Sequence, residues 1–80
     1  MMWFDNNLSE DIKSISETLL GASLYYAKKY NKKPDTCHIN PLYLLKDYIL
    51  LYNIKLIKDK DILLKHIWIG VEDDNDPVSV

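Results

Sequence analysis

The chain has no arginine and no glutamine, a single cysteine (Cys37), only two glycines (Gly21 and Gly70) and no uninterrupted apolar run long enough to cross a bilayer. Each shortage removes a class of function. One cysteine cannot close an internal disulfide, so nothing in the chain asks for an oxidising compartment. All ten cations are lysine, which leaves out the planar guanidinium that recognises phosphate and guanine in bidentate fashion. With a formal net charge of -2, nucleic acid is not expected as the main partner. Two separated glycines cannot build a glycine-rich phosphate loop, and the sequence has neither a nucleophile elbow nor paired carboxylates on one helix face. The longest apolar stretch, LYLLKDYILLYNI, is broken by Lys46 and Asp47 and falls short of the about 20 residues of a membrane span. The start, MMWFDNNLSED, lacks the basic and then apolar segments of a secretory leader. The expectation is a cytoplasmic protein with no membrane partner.

What is present fits an ordinary globular domain: 48% of the residues are hydrophobic and 28% charged, which separates the chain from disordered and fibrous classes. Eighty residues make one domain with a core of marginal size, so association with a second copy is expected before any motif is considered.

From Leu8 the apolar residues fall at Leu8, Ile12, Ile15, Leu19, Ala22 and Tyr26, steps of four and three that line one stripe of a helix. Ser9 is placed to cap its start, with Glu10 and Asp11 in the first turn, and Lys28, Lys29, Lys32 and Lys33 gather at the far end, where unsatisfied carbonyls favour cations. The helix stops before Pro34. A short β-prone run, Thr36 to Ile39, follows, and Asn40-Pro41 then reads as the cap and first position of a second helix reaching about Tyr52. Beyond it, segments near 54 to 58 and 62 to 72 flank the polar KDKD and read as a hairpin. The order α-β-α-β-β predicts an α/β (α+β) two-layer domain over residues 1–72: a small mixed three-stranded sheet with two helices on one face, the first two strands parallel and the last pair antiparallel. Residues 73–80 read as an acidic, frayed tail.

Cys37 and His38 stand side by side and invite a catalytic or metal reading. On a strand, successive side chains point to opposite faces, so the two cannot form a nucleophile-base pair with each other. Cys37 is expected in the core with Ile39, where a free thiol behaves as a small hydrophobe. The opposite face would carry Thr36 and His38 and, in register, Lys55, Ile57, His66 and Trp68, and this is the expected binding face. Two histidines without close spacing do not make a metal set of three or four ligands, and no cofactor is expected. The six tyrosines, at 25, 26, 30, 43, 48 and 52, combine contact area with a polar tip. Most are expected half-buried at the helix interface, and the remainder suit stacking on a nucleotide or anchoring a protein partner. KKYNKK, residues 28–33, interleaves lysine with an aromatic as a phosphate site would, but the favoured reading is a helix end with solvated lysines.

The stretch YYAKKYNKKPDTCHINP, together with HIWIGVE, resembles small prokaryotic and phage-type proteins in which an aromatic-rich helix end precedes a proline-bounded strand and a Trp-Ile-Gly segment closes the sheet. The resemblance covers residues 24–72, carries no activity to transfer and implies a phage or mobile-element gene. The functional expectation is a non-enzymatic interaction module acting through protein-protein contacts: self-association to a dimer or higher, or a host or phage protein partner. The alternative is a protein that binds or processes a small ligand, a nucleotide or a metal, with His38, His66 and the tyrosines.

Overall fold

A computed structural model of the chain describes residues 1–43 and 48–72. Its elements are β1 (Met2–Phe4), α1 (Ile12–Tyr30), β2 (Thr36–Ile39), a single 3-10 turn (Pro41–Tyr43), β3 (Tyr48–Leu51), β4 (Ile54–Lys58) and β5 (His66–Gly70). The fold is mixed α+β, with one five-stranded sheet in the order β1-β5-β2-β4-β3. Strand β2 runs parallel to β4, with His38 level with Ile57, and antiparallel to β5, with His38 level with Trp68. The outer pairs, β1 with β5 and β3 with β4, are antiparallel.

The stripe at helical spacing does become α1, but two residues move. Asp11, rather than Ser9, caps it, its carboxylate accepting the Lys13 N–H at 3.2 Å. Leu8 lies outside the helix and is fully buried, whereas Ile12, on the expected stripe, is 52% exposed. The linker is tied down instead by the Thr18 hydroxyl, which donates to the Asp5 carboxylate at 2.8 Å. At the other end Asn31 adopts a left-handed conformation and its N–H closes the last turn on the Ala27 carbonyl, beside Lys28 and Lys29 in that turn. The core joins Leu8 and the buried side of α1 (Ile15, Leu19, Ala22, Tyr26) to Cys37, Ile39, Leu56, Ile67 and Ile69 of the sheet.

The second helix expected from Pro41 to Tyr52 is overturned. Only one 3-10 turn forms, at Pro41–Tyr43, and Tyr48–Leu51 is an edge strand; residues 44–47 lie outside the described residues. A short run that is apolar all round satisfies a buried strand as well as a helix. The turn decides between them: Tyr52 and Asn53 both have positive φ, 53° and 62°, the two-residue hairpin geometry that matches strand twist, and it folds β3 back onto β4.

The hairpin expected around KDKD is also overturned, because β2 lies between β4 and β5. The loop 59–65 instead crosses the end of β2. The Asp59 N–H donates to the Ile39 carbonyl at 2.8 Å, the Asn40 side-chain amide donates to the Ile62 carbonyl at 2.9 Å, and the Lys65 N–H donates to the Tyr43 hydroxyl at 2.9 Å. The sheet therefore has five strands rather than three, and among the described residues one helix covers one of its faces. The strand β1 has no counterpart in the sequence reading, and the expected tail, 73–80, lies outside the described residues. No helix among the described residues is long and apolar enough to cross a membrane.

Candidate functional site

Strand alternation and register place Thr36, His38, Lys55, Ile57, His66 and Trp68 on the sheet face opposite α1. Met2 and Phe4 join them from β1, level with Trp68 and His66, and Leu50 from β3, level with Lys55. Phe4 and Leu50 are 59% and 62% exposed, and Ile57 and Trp68 are half-buried. Apolar side chains thus form a stripe on both flanks of the open face, interrupted on the central strand β2 by Thr36 and His38.

The centre of this face is His38. Its Nδ1 lies 2.8 Å from Asp59 Oδ2, and both side chains keep somewhat more than a quarter of their surface in water. The N–H of Asp61 and the bond to His38 hold the Asp59 carboxyl below its ordinary value. An ionised carboxylate only accepts, so Nδ1 carries the proton of this bond. Trp68 meets the imidazole edge-on, with centroids 5.3 Å apart and planes at 84°. The far end of the indole lies over Gly70: a Cβ added there would come within 2.5 Å of Trp68 Cη2. Gly70 is therefore the recess that lets the indole lie down. Beyond it the Thr36 hydroxyl donates to Asp35 at 2.7 Å and lies 3.5 Å from Glu72 Oε1, while the Glu72 N–H donates to the same Asp35 carboxylate. His38, Asp59, Ile62, Trp68 and Glu72 line a depression of about 360 Å³.

The two histidines do not converge on one centre. His66 stacks on Phe4 at 5.1 Å and donates from Nδ1 to the Leu64 carbonyl at 2.8 Å. Lys55 sits on the outer part of the face, level with Thr36 and Leu50. The tyrosines disperse. Tyr26 and Tyr43 are buried, and Tyr25, Tyr30 and Tyr52 are exposed; Tyr25 packs on Trp3, Tyr26 on Tyr30, and Lys29 lies over the rings of Tyr25 and Tyr30. KKYNKK is therefore the end of α1 and the residues that follow it, on the side of the sheet away from His38.

Cys37 is on the core face, 1% exposed, and burial pushes its thiol up to about 12, far from the thiolate a nucleophile requires. Among the described residues no hydroxyl or thiol is hydrogen-bonded to the His38 imidazole, and no group of three or more histidine, cysteine, aspartate or glutamate side chains could hold a metal. The carboxylate fixes the orientation of the imidazole, and among the described residues no nucleophile is aligned with the pair.

Alternation alone brought the six expected face residues together. It missed Met2 and Phe4, although Met-Trp-Phe ahead of Asp5-Asn6-Asn7 has the aromatic run and turn-forming boundary of a short strand. It also missed Asp59, Ile62 and Glu72, which reach the face from segments flanking the strands. No known protein family, curated protein or solved structure matches the chain.

Proposed function

We propose that the chain is a small non-enzymatic binding module that works through protein-protein contacts on its open sheet face, and that a second copy of itself is the partner this face takes. The observation that carries the reading is the uncovered apolar stripe of Met2, Phe4, Trp68, Ile57 and Leu50. An exposed patch of this kind is unusual on a protein with no partner, and typical of an interaction surface. Phe and Trp in such a patch supply the anchors around which interfaces concentrate their energy.

Covering the face would also supply what so short a chain lacks. Burying apolar surface yields roughly 25 cal/mol per Å², and an ordinary interface removes about 800 Å² from each partner. A face pairing with its own copy is isologous, with each Phe4 and Trp68 contributing twice. A phage or mobile-element origin, implied by the sequence resemblance, fits a gene product whose work is contact rather than chemistry.

Sedimentation velocity or light scattering at micromolar concentration tests the proposal. The expected mass is a multiple of the 9.4 kDa chain, and Phe4→Lys and Ile57→Lys each return it to the monomer with an unchanged circular dichroism spectrum. A wild-type chain that stays at 9.4 kDa overturns self-association, and the host or phage protein then becomes the partner to seek. The second reading, a small ligand, gains support from one feature only, the depression beside His38. Its carboxylates Asp59 and Glu72 repel a nucleotide's phosphates.

A further inference from the structure

The depression beside His38 has a charge, a shape and a platform that together select one ligand chemistry. We propose that it binds an aliphatic ammonium group, either a free diamine or the side chain of a lysine, with methylenes lying on Trp68 and Ile62 and the charged nitrogen held by Asp59 or Glu72.

The sign of the site comes first. Among the described residues its lining carries two carboxylates and no lysine. Asp59 keeps its charge because the Asp61 N–H and His38 both favour the ionised form. Each of those bonds occupies one carboxylate oxygen, and each oxygen retains a further lone pair for an incoming N–H. Asp35, hydrogen-bonded to Thr36 and to the Glu72 N–H, adds to the same potential.

The platform comes second. Tryptophan is the best aromatic partner for a cation, and this one is fixed in place: Gly70 lets the indole lie down, and His38 stands edge-on against it. Ile62, buried beside it, offers the alkyl chain an apolar wall.

The spacing comes third, and it gives the ligand a length. The Asp59 carboxylate reaches back to the level of His38, and that of Glu72 approaches Thr36. Those two β2 positions are two residues apart, about 6.6 Å along a strand. The carboxylates also arrive from opposite sides of β2, one from the end of β4 and the other from the end of β5. A separation of roughly 7 to 10 Å results, which matches two ammonium groups on a chain of five or so methylenes. Phosphate is repelled, and a neutral diol would have the length without the charge.

The test is a titration of the full chain with 1,5-diaminopentane, read by NMR at the two indole N–H groups. Trp3 lies on the helix side of the sheet against Tyr25 and is the internal control. The expected result is a saturable shift at Trp68 and not at Trp3, with half-saturation on the order of millimolar, as suits an exposed site. Asp59→Asn and Glu72→Gln should each weaken it about threefold or more. A parallel titration with the capped peptide acetyl-Gly-Lys-Gly-amide separates the sources: tighter binding of the diamine identifies a free diamine, and equal or tighter binding of the peptide identifies a lysine side chain. Repeating the titration on Phe4→Lys separates this site from the protein-contact reading: the self-association proposed above would cover Trp68 and weaken binding to the wild type, whereas the monomeric variant leaves the lining of the depression intact and open. The proposal is overturned if 1,5-pentanediol or sodium chloride of equal ionic strength gives the same shift. It is also overturned if the double variant Asp59→Asn/Glu72→Gln, folded by its spectrum, binds as the wild type does.

Discussion

Gly70→Ala isolates the contact on which the open face is organised. A methyl group at this position would sit 2.5 Å from Trp68 Cη2, 3.0 Å from Cζ2 and 3.2 Å from Cζ3, whereas carbon atoms rest at about 3.5 Å or more. The indole must retreat by about 1 Å. Taken alone, alanine in place of a strand glycine gains about 0.5–1 kcal/mol. Against this, moving the indole off its rotamer costs about 0.5–1.5 kcal/mol, and losing the edge-on contact with His38 costs about 0.5–1.5 kcal/mol. Re-exposing some 40 Å² of ring costs roughly a further 1 kcal/mol. The losses outweigh the gain, and the net is a destabilisation of about 1–3 kcal/mol, which at roughly 4–8 °C per kcal/mol for a domain of this size is a clear fall in Tm. Urea unfolding followed by circular dichroism measures it. The decisive comparison is the same substitution in a Trp68→Ala background. With no indole to displace, only the backbone gain remains, so Gly70→Ala should change sign and stabilise. An equal loss in both backgrounds, or a gain in the wild type, refutes the account of Gly70 as the indole's recess.

The Cys37 thiol, pushed up to about 12, should not react with Ellman's reagent in the folded chain and should react fully in urea. The folded state holds that proton while the unfolded state releases it above the ordinary value of 9.0. The thiol should therefore leave stability untouched below about pH 9 and lower it by up to about 1.4 kcal/mol per pH unit above it, a contribution that Cys37→Ala removes. Asp59 has the opposite sign. Its folded carboxyl lies below the usual 3.8, so the stability it lends is present above that value and is lost as pH falls through the folded one. Asp59→Asn should flatten the acid limb of a stability-pH curve, and an unchanged limb would deny the bonds from the Asp61 N–H and His38 any thermodynamic weight. In the β3–β4 turn a tyrosine and an asparagine hold positive φ, a region where an L residue with a bulky side chain is strained. The pair Tyr52→Asn/Asn53→Gly, the preferred residues for such a turn, should raise stability by about 1 kcal/mol in the same urea assay.

Local periodicity made parts of this fold legible. The spacing of Ile15, Leu19, Ala22 and Tyr26 announces α1, and alternation in Thr36–Ile39 and His66–Gly70 assigns each residue to the correct face of the sheet. Parallel pairing of β2 and β4 was also readable, although the connection between them runs through an edge strand rather than a helix. Periodicity could not say which strand lies beside which. Nothing within KDKD distinguishes a tight turn from a loop that strides over a neighbour, because β2, the strand crossed, lies some 20 residues earlier in the chain. The site was half hidden for the same reason. Asp59 reads as a solvated turn residue until the crossing brings it to His38, 21 positions away. Leu8 and Ile12 exchange roles because Thr18 and Asp5 fix the linker, a contact that helical spacing does not encode.

The placement of β5 has a consequence in time. Of the described strands it is the last to be synthesised, yet it sits second in the sheet, between β1 and β2. Until His66–Gly70 emerges from the ribosome, β1 has no neighbour and β2 is paired on one side only. The nascent chain also waits for Ile67 and Ile69 to complete its core. The sheet cannot grow strand by strand in the order of synthesis. Such non-local closure is slow, since the entropy of joining distant segments is spent before their contacts form. A nascent chain stalled before residue 66 would present the unpaired edge of β2 and an unfinished apolar core to other chains. The hazard of aggregation therefore lies with the incomplete polypeptide, and folding to the native sheet belongs to the moment after its last strand is released.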